Sequence, residues 1–262
     1  MTTIRDLAAW KSEGRRFPML TAYDFPTARI LDEAGIPVLL VGDSLAQVIL
    51  GYDTTLPVTM EEMLHHARAV ARGAREALLV GDMPFLSYQT STEEAIRNAG
   101  RFLKEGGMHA VKIEGPLFDL ADALVARGIP VMGHLGLTPQ SVHAMGGYRV
   151  QAKTEEAAER LLQDALGLEK SGIFSLVLEG IPAEVATQVT GSVQVPTIGI
   201  GAGSGCDGQV LVVTDMLGLG LGTYPKFVKT YANLREEIGR AARTFAAEVE
   251  AGTFPDAEHS YS

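Results

Sequence analysis

Short apolar runs recur along the chain, and most of them end next to a glycine or an acidic residue. Eight such runs lie at residues 19–23, 38–41, 78–80, 110–113, 131–133, 174–178, 197–200 and 210–213. They are continuous rather than alternating, which is typical of parallel strands that are covered on both faces. The pattern therefore predicts eight buried strands.

The segments between these runs show helical periodicity and helix start signals. Thr59 with Glu62 and Ser91 with Glu94 each match a capping box in front of a periodic stretch. Alternating strands and helices indicate a parallel α/β fold, and eight strands in about 200 residues favour a closed (βα)8 TIM barrel over an open sheet.

No composition break divides the chain, so we predict a single domain over residues 1–262, with an N-terminal extension and a C-terminal helical segment. The last segment, 233–252, carries apolar residues at helical spacing, and we expect it to pack by one face. These residues are Leu234, Ile238, Ala242, Phe245 and Val249.

Charge and cysteine content narrow the function classes. The chain has 22 Lys+Arg against 32 Asp+Glu, a net charge of −10, which argues against a nucleic-acid partner and against binding to a membrane surface. No apolar run approaches the roughly 20 residues of a membrane span, and the N-terminus lacks the apolar core of a signal peptide. The single cysteine, Cys206, excludes an intrachain disulfide, and we expect a cytoplasmic location.

Acidic residues follow successive predicted strands. Asp43, Asp82 and Glu114 end neighbouring strands and would converge on the rim where barrel enzymes keep their active sites. Taken alone, each acid is explained equally well by a structural role, such as helix N-capping or a salt bridge, and by a functional one. Together they would repel one another unless a cation held them ionised, which points to Mg²⁺ with at least one carboxylate bound through water.

Three further residues near this rim are candidates for chemistry. Lys112 precedes Glu114 by two residues and shares its side of the strand, where it either pairs with the acids or binds a substrate carboxylate. Glu179 lies on the far side of the barrel from Asp43 and is a candidate general base. His134 either orients substrate, acts as an acid or is a hydrogen-bonded core residue.

Other motifs carry less weight. The glycines in 199–205 suit a phosphate or a close backbone approach, but the GxGxxG match at 203–208 is followed by a strand and not by a helix, which excludes dinucleotide binding. A zinc site is not expected, because the adjacent His65 and His66 point to different helix faces. Cys206 is predicted to be a buried spectator thiol.

Six ordered motifs, which span most of the chain, carry a resemblance to a known family. They are Met19-Leu-Thr-Ala-Tyr-Asp24, Val41-Gly-Asp-Ser44, Thr55-Leu-Pro-Val-Thr59, Val111-Lys-Ile-Glu-Gly115, Gly133-His-Leu-Gly-Leu-Thr-Pro-Gln140 and Asp207-Gly-Gln-Val-Leu-Val212. The chain closely resembles the ketopantoate hydroxymethyltransferases from about Leu7 to His259.

The resemblance implies a barrel of the phosphoenolpyruvate mutase and isocitrate lyase type. It implies transfer of a hydroxymethyl group from 5,10-methylenetetrahydrofolate to 3-methyl-2-oxobutanoate, through a Mg²⁺-stabilised enolate. The products would be 2-dehydropantoate and tetrahydrofolate, in pantothenate biosynthesis on the route to coenzyme A. A large homo-oligomer, a decamer in some members, is also implied.

The motif positions imply roles for individual residues. Asp43 and Asp82 correspond to direct Mg²⁺ ligands that also contact the substrate, and Glu114 corresponds to a water-linked ligand. Ser44 and Lys112 would hold the substrate carboxylate, His134 would position groups near the substrate, and Glu179 would be the base. Four residues depart from the family's usual pattern without removing a proposed ligand, namely Ala46, Gln47, Pro116 and Ala152.

Two alternatives remain open from the sequence. One is another Mg²⁺-dependent barrel of the same superfamily, such as a lyase acting on a 2-oxo acid, although such lyases rely on a cysteine-bearing loop and Cys206 is the only cysteine. The other is a non-catalytic barrel, against which the complete set of site residues argues.

Overall fold

The computed structural model describes residues 1–261, and eight parallel strands close into a barrel in the order β1 to β8, with β1 pairing with β8. The strands are β1 Phe17–Thr21, β2 Val38–Val41, β3 Leu78–Asp82, β4 Ala110–Lys112, β5 Val131–Gly136, β6 Ser175–Glu179, β7 Thr197–Ile200 and β8 Gly208–Leu211. The predicted barrel is confirmed. All eight predicted strands are present, and the largest shift of a strand end is the extension of β5 from residue 133 to Gly136.

Helices connect the strands, as the alternating pattern predicts. They are α1 Ile4–Ser12, α2 Phe25–Glu33, α3 Leu45–Val48, α4 Met60–Gly73, α5 Thr92–Lys104, α6 Phe118–Val125, α7 Glu155–Lys170, α8 Ala183–Ser192, α9 Val213–Met216 and α10 Leu234–Glu250, with a 3₁₀ turn at Pro139–Ser141.

The two predicted capping boxes have different outcomes. At α4 the box is complete, because the Thr59 hydroxyl accepts from the Glu62 N–H and the Glu62 carboxylate accepts from the Thr59 N–H. At α5 the Ser91 hydroxyl accepts from the Glu94 N–H, but the Glu94 carboxylate accepts from the Thr90 hydroxyl instead. A competing hydroxyl one residue upstream therefore leaves the second box half formed.

The core of the barrel is built from alternate positions of every strand. The buried side chains that fill it are Phe17, Met19, Val38, Leu40, Leu78, Val80, Ala110, Met132, Val177, Ile198 and Val210. Leu7 of α1 is fully buried in the same cluster, and Lys11 of α1 pairs with Asp207 at 2.8 Å. The N-terminal extension therefore packs as part of the barrel.

Residue contacts divide the chain into two compact units, Met1–Val212 and Val213–Ser262. The first contains all eight strands. The second contains α9 and α10, so Val213 begins a short helix where the sequence predicts the end of a strand.

The predicted C-terminal helix is confirmed as α10, but the expected packing of its apolar face is not. None of its residues is buried, and Ile238, Phe245 and Val249 are about half exposed. The ring of Phe245 lies 5.4 Å from that of Phe254 in the same unit. Within residues 1–261, no helix has the length and apolar character needed to cross a membrane.

Candidate functional site

The predicted site residues gather at the carboxyl ends of neighbouring strands. Asp43 lies two residues beyond β2, Asp82 ends β3, Lys112 ends β4, Glu114 follows it by two residues, His134 lies in β5, and Glu179 ends β6. The strand register sets Asp82 beside Lys112 and Gly136 beside Glu179. All six lie on the barrel rim that the sequence predicts, and all but Glu179 are buried.

Asp43, Asp82 and Lys112 are directly connected. The Asp43 backbone N–H donates to Asp82 Oδ2 at 3.2 Å, and Lys112 Nζ donates to Asp82 Oδ1 at 2.6 Å. Lys112 Nζ also lies 3.5 Å from Glu114 Oε1, so Lys112 and Glu114 share one side of the strand as predicted. Lys112 is therefore a buried cation among carboxylates.

His134 lies between two acids. Its Nδ1 is 3.3 Å from Glu114 Oε1 and its Nε2 is 3.3 Å from Glu179 Oε2. These contacts are close enough for ion pairing, but their angles leave both ring nitrogens without a hydrogen bond among residues 1–261. Burial and Lys112 oppose protonation, yet Glu114 and Glu179 outweigh them and raise the pKa of His134 to about 9. The ring is therefore an imidazolium at neutral pH.

Burial and neighbouring charges shift the pKa values of the clustered residues in different directions. Burial raises the pKa of Asp43 well above its usual range, and the neighbouring Asp82 and Glu114 carboxylates add to this. Burial also acts to raise the pKa of Glu114, but Lys112 and His134 outweigh it and the net shift is downward. For Lys112, burial acts to lower the pKa, but the carboxylates of Asp82, Glu114 and Asp43 outweigh burial and the net shift is upward.

Two buried residues without predicted roles complete the network. Gln140, in the 3₁₀ turn after β5, donates from Nε2 to Asp43 Oδ2 at 3.0 Å and from its backbone N–H to Glu114 Oε2 at 3.0 Å. The Tyr88 hydroxyl donates to Gln140 Oε1 at 2.6 Å. Gln140 ends one of the six sequence motifs, whereas Tyr88 lies outside them and carries no sequence signal.

Ser44 lies next to Asp43 at the start of α3, and its Oγ is 2.9 Å from the Tyr23 hydroxyl.

The acid that follows Tyr23 has a structural role. Asp24 caps α2 by accepting from the Thr27 N–H at 2.8 Å. Asp24 is therefore explained by helix capping, one of the structural roles open to any single acid.

The glycine-rich loop after β7 is explained by packing against α8. A Cβ on Gly203 would overlap Ala183, and a Cβ on Gly205 would overlap the Thr187 hydroxyl. These close approaches account for Gly203 and Gly205 by the close backbone approach that the sequence predicts as one alternative. Cys206 in this loop is buried, and burial raises the pKa of its thiol, as expected for a spectator cysteine.

Within the described residues 1–261, no three or more His, Cys, Asp or Glu side chains are gathered closely enough to hold a metal ion by themselves. The donor set nevertheless suits a divalent cation. Among the described residues, the four acids Asp43, Asp82, Glu114 and Glu179 face two cationic side chains, Lys112 and His134, so full ionisation of the acids would leave two negative charges uncompensated. Burial and this excess of acids together raise the pKa of Asp43. Mg²⁺ accepts one or two protein carboxylates and completes its shell with water and substrate, so a three-carboxylate cage is not required.

Solved structures share this fold at low sequence identity. A phosphonopyruvate hydrolase in complex with oxalate and Mg²⁺ is similar with a TM-score of 0.63 at 14% identity, covering 99% of this chain and 93% of that chain. A 2,3-dimethylmalate lyase of the phosphoenolpyruvate mutase/isocitrate lyase superfamily gives a TM-score of 0.63 at 16% identity, covering 99% and 92% of the two chains.

Curated relatives are much closer in sequence. The 3-methyl-2-oxobutanoate hydroxymethyltransferase of Thermobifida fusca (strain YX) is 59% identical over 262 residues, covering 99% of this chain and 93% of the relative. The enzyme of the same name from Syntrophus aciditrophicus (strain SB) is 56% identical over 253 residues, covering 96% and 93%. The family model for ketopantoate hydroxymethyltransferase matches residues 1–257, and the chain belongs to that enzyme family.

Proposed function

We propose that this enzyme transfers a hydroxymethyl group from 5,10-methylenetetrahydrofolate to 3-methyl-2-oxobutanoate, giving 2-dehydropantoate and tetrahydrofolate in pantothenate biosynthesis. The observation that carries the proposal is the placement of Glu179. Its side chain is 17% exposed, against 2–5% for Asp82, Lys112, Glu114 and His134, so it is more accessible to a substrate than these four. The name shared by the curated relatives supplies the acceptor.

Asp43 and Asp82 would hold Mg²⁺ directly, and Glu114 would do so through water. The excess of two acids over cationic side chains and the raised pKa of Asp43 support this assignment. When bound, the cation supplies Lewis-acid polarisation of the 2-oxo group, an effect worth several kcal/mol in metal-dependent enzymes.

Lys112 and Ser44 would bind the substrate carboxylate. Lys112 offers a point charge, and Ser44 offers a hydroxyl that Tyr23 orients at 2.9 Å. Since Lys112 Nζ lies 2.6 Å from Asp82, a substrate carboxylate would share this ammonium group with Asp82. His134 would fix the Glu179 carboxylate through Nε2, while its Nδ1 faces Glu114.

Glu179 would act on the C3–H bond of the acceptor. It takes the C3 proton, and the electron pair of that bond passes into the enolate. C3 then forms a carbon–carbon bond to the methylene carbon of the folate as one of the two carbon–nitrogen bonds of that carbon breaks. A water oxygen bonds to the same carbon as the second carbon–nitrogen bond breaks. The proton taken from C3 and the proton released by water pass to the two folate nitrogens, which gives tetrahydrofolate. General-base catalysis of this kind contributes roughly 10²–10⁴ in rate.

Proton NMR in D₂O tests the proposal. The C3 proton of 3-methyl-2-oxobutanoate is followed with and without Mg²⁺, and then with methylenetetrahydrofolate added. Metal-dependent exchange followed by hydroxymethylated product is expected. Exchange without product would leave an enolising enzyme that uses another electrophile, and no exchange in either condition would overturn the proposal.

A large homo-oligomer belongs to the same proposal. The half-exposed apolar residues of α10, namely Ile238, Phe245 and Val249, support it, because an apolar helix face of this kind is usually covered. Light scattering coupled to size-exclusion chromatography would measure the mass, and a monomer of 27.9 kDa at micromolar concentration would contradict it.

A further inference from the structure

The side-chain amide of Gln140 is fully hydrogen bonded. Its Nε2 donates to Asp43 Oδ2 at 3.0 Å and to the Met83 carbonyl at 2.9 Å. Its Oε1 accepts from the Tyr88 hydroxyl at 2.6 Å and from Gln89 Nε2 at 3.2 Å. Gln140 is buried, so no hydrogen bond from water replaces these four if the amide moves.

The chemistry of the partners fixes the direction of every bond. A carboxylate and a carbonyl are acceptors only, so the NH₂ group of Gln140 must face Asp43 and Met83. The carbonyl oxygen of Gln140 then faces Tyr88, whose hydroxyl must donate. That leaves the Tyr88 oxygen to accept from the Glu114 backbone N–H at 3.2 Å. A flipped amide would set oxygen against oxygen at both Asp43 and Met83.

Gln140 thereby fixes one oxygen of each of two predicted metal-binding acids. Its side chain holds Asp43 Oδ2, and its backbone N–H holds Glu114 Oε2 at 3.0 Å. Glu114 Oε1 accepts no hydrogen bond from the part of the chain that the structure describes, and Lys112 Nζ and His134 Nδ1 lie 3.5 Å and 3.3 Å from it. The two acids lie on different strands, and Gln140 reaches both from the loop after β5.

We propose that Gln140 is a positioning residue that fixes the orientation of the Asp43 and Glu114 carboxylates for binding a divalent cation or its bound water. The inference rests on the proposed function only in requiring that the site binds such a cation. Since Gln140 belongs to the long loop between β5 and α7, it also ties the conformation of that loop to the geometry of the cation site. Tyr88 supports it by holding the amide in its single allowed orientation.

Binding of Mn²⁺ to the substrate-free full-length protein, measured by the loss of the free-ion EPR signal, tests this inference without catalysis. Gln140→Met fills the same space but offers no donor to Asp43, and we expect at least a tenfold loss of Mn²⁺ affinity. Tyr88→Phe keeps the ring and the Gln140 contact to Asp43, so a smaller loss of about threefold is expected. Gln163→Met, on the exposed face of α7, is the matched control and should bind like the wild type.

Urea unfolding of each variant separates positioning from structural damage, because a purely structural role would lower the unfolding midpoint and leave the affinity of the folded protein unchanged. Wild-type Mn²⁺ affinity in folded Gln140→Met would overturn this inference and leave the proposed function unaffected. If Gln140→Met does not fold, wild-type affinity in Tyr88→Phe would overturn it. Absence of Mn²⁺ binding by the wild-type protein would overturn the proposed metal-dependent function and this inference together.

Discussion

Glu179 Oε2 lies 3.3 Å from His134 Nε2, so the open acid at the end of β6 has a buried cation beside it on β5. The two strands are in register, with His134 beside Val177 and Gly136 beside Glu179. The His134 ring in this position holds the Glu179 carboxylate in place, and a general base has to be held within reach of the proton that it accepts. The arrangement gives Glu179 a different environment from the acids that face Lys112.

Glu179→Gln should abolish C3 proton exchange while divalent-cation binding is retained. The amide keeps the size of the side chain but cannot accept the proton, so we expect exchange to fall by roughly 10²-fold or more. Exchange by NMR in D₂O and Mn²⁺ binding by EPR measure the two properties separately. Glu184→Gln, an exposed change on α8, is the control, and normal exchange in Glu179→Gln would remove Glu179 as the base.

Gly136→Ala should disturb Glu179, the proposed base, through the backbone. Gly136 has φ +94°, and a Cβ there would overlap the Glu179 carbonyl oxygen and lie 2.8 Å from Ile181 Cγ2. We expect a loss of about 1–3 kcal/mol in the free energy of unfolding and slower C3 exchange.

Gly191→Ala is the contrasting change for Gly136→Ala. Gly191 lies in α8 and a Cβ there would meet nothing within 4 Å, so alanine should be neutral or stabilise by about 0.5–1 kcal/mol. Equal unfolding midpoints for the two variants in urea would show that strain at Gly136 is unimportant.

Sequence periodicity predicts the barrel well because each strand has to be apolar on both faces. Runs such as Val38–Val41 and Thr197–Ile200 match the observed strands, since a continuous apolar run has few other places in a folded chain. The end of the last strand was less predictable. Val213 is as apolar as its neighbours but begins a helix, and residue type alone does not separate the two.

The site could be predicted only where its residues follow strands. Asp43 follows β2 and Asp82 ends the adjacent β3, so topology alone brings them together. Gln140 and Tyr88 reach the same acids from loops whose paths depend on tertiary packing, and no local pattern encodes those paths. The sequence marks Ala152 only as a departure from the glycine that the resemblance implies. The structure gives this residue φ +52°, a conformation that favours glycine.

Leu7→Ala should destabilise the barrel strongly. Leu7 is fully buried in the cluster that fills the barrel, so shortening it removes apolar contacts and leaves a cavity. A loss of about 2–5 kcal/mol in the free energy of unfolding is expected. Ile30→Ala on α2, where the side chain is 65% exposed, is the control and should change stability by less than about 0.5 kcal/mol. Similar urea midpoints for both variants would show that α1 contributes little to the core.

Asp32 joins the end of α2 to the segment that leads into β3. Its carboxylate accepts from the backbone N–H groups of Arg75 at 2.9 Å, Glu76 at 3.0 Å and Ala77 at 2.8 Å. Burial acts to raise the pKa of Asp32, but the three hydrogen bonds outweigh it and lower the pKa below 3.8. The charged form therefore stabilises the folded state.

Asp32→Asn should lower the free energy of unfolding at pH 7 by about 1–3 kcal/mol, because the amide presents N–H groups to backbone donors. The folded pKa is depressed, so the stabilisation by Asp32 is fully present well above the unfolded value of 3.8 and is lost as the pH falls through the lower folded value. The difference in urea midpoint between wild type and Asp32→Asn should accordingly be constant near neutral pH and shrink in acid. Asp122→Asn, an exposed change on α6, should show no comparable loss at either pH. A difference for Asp32→Asn that stays constant into acid would mean that the hydrogen bonds do not depend on the carboxylate charge.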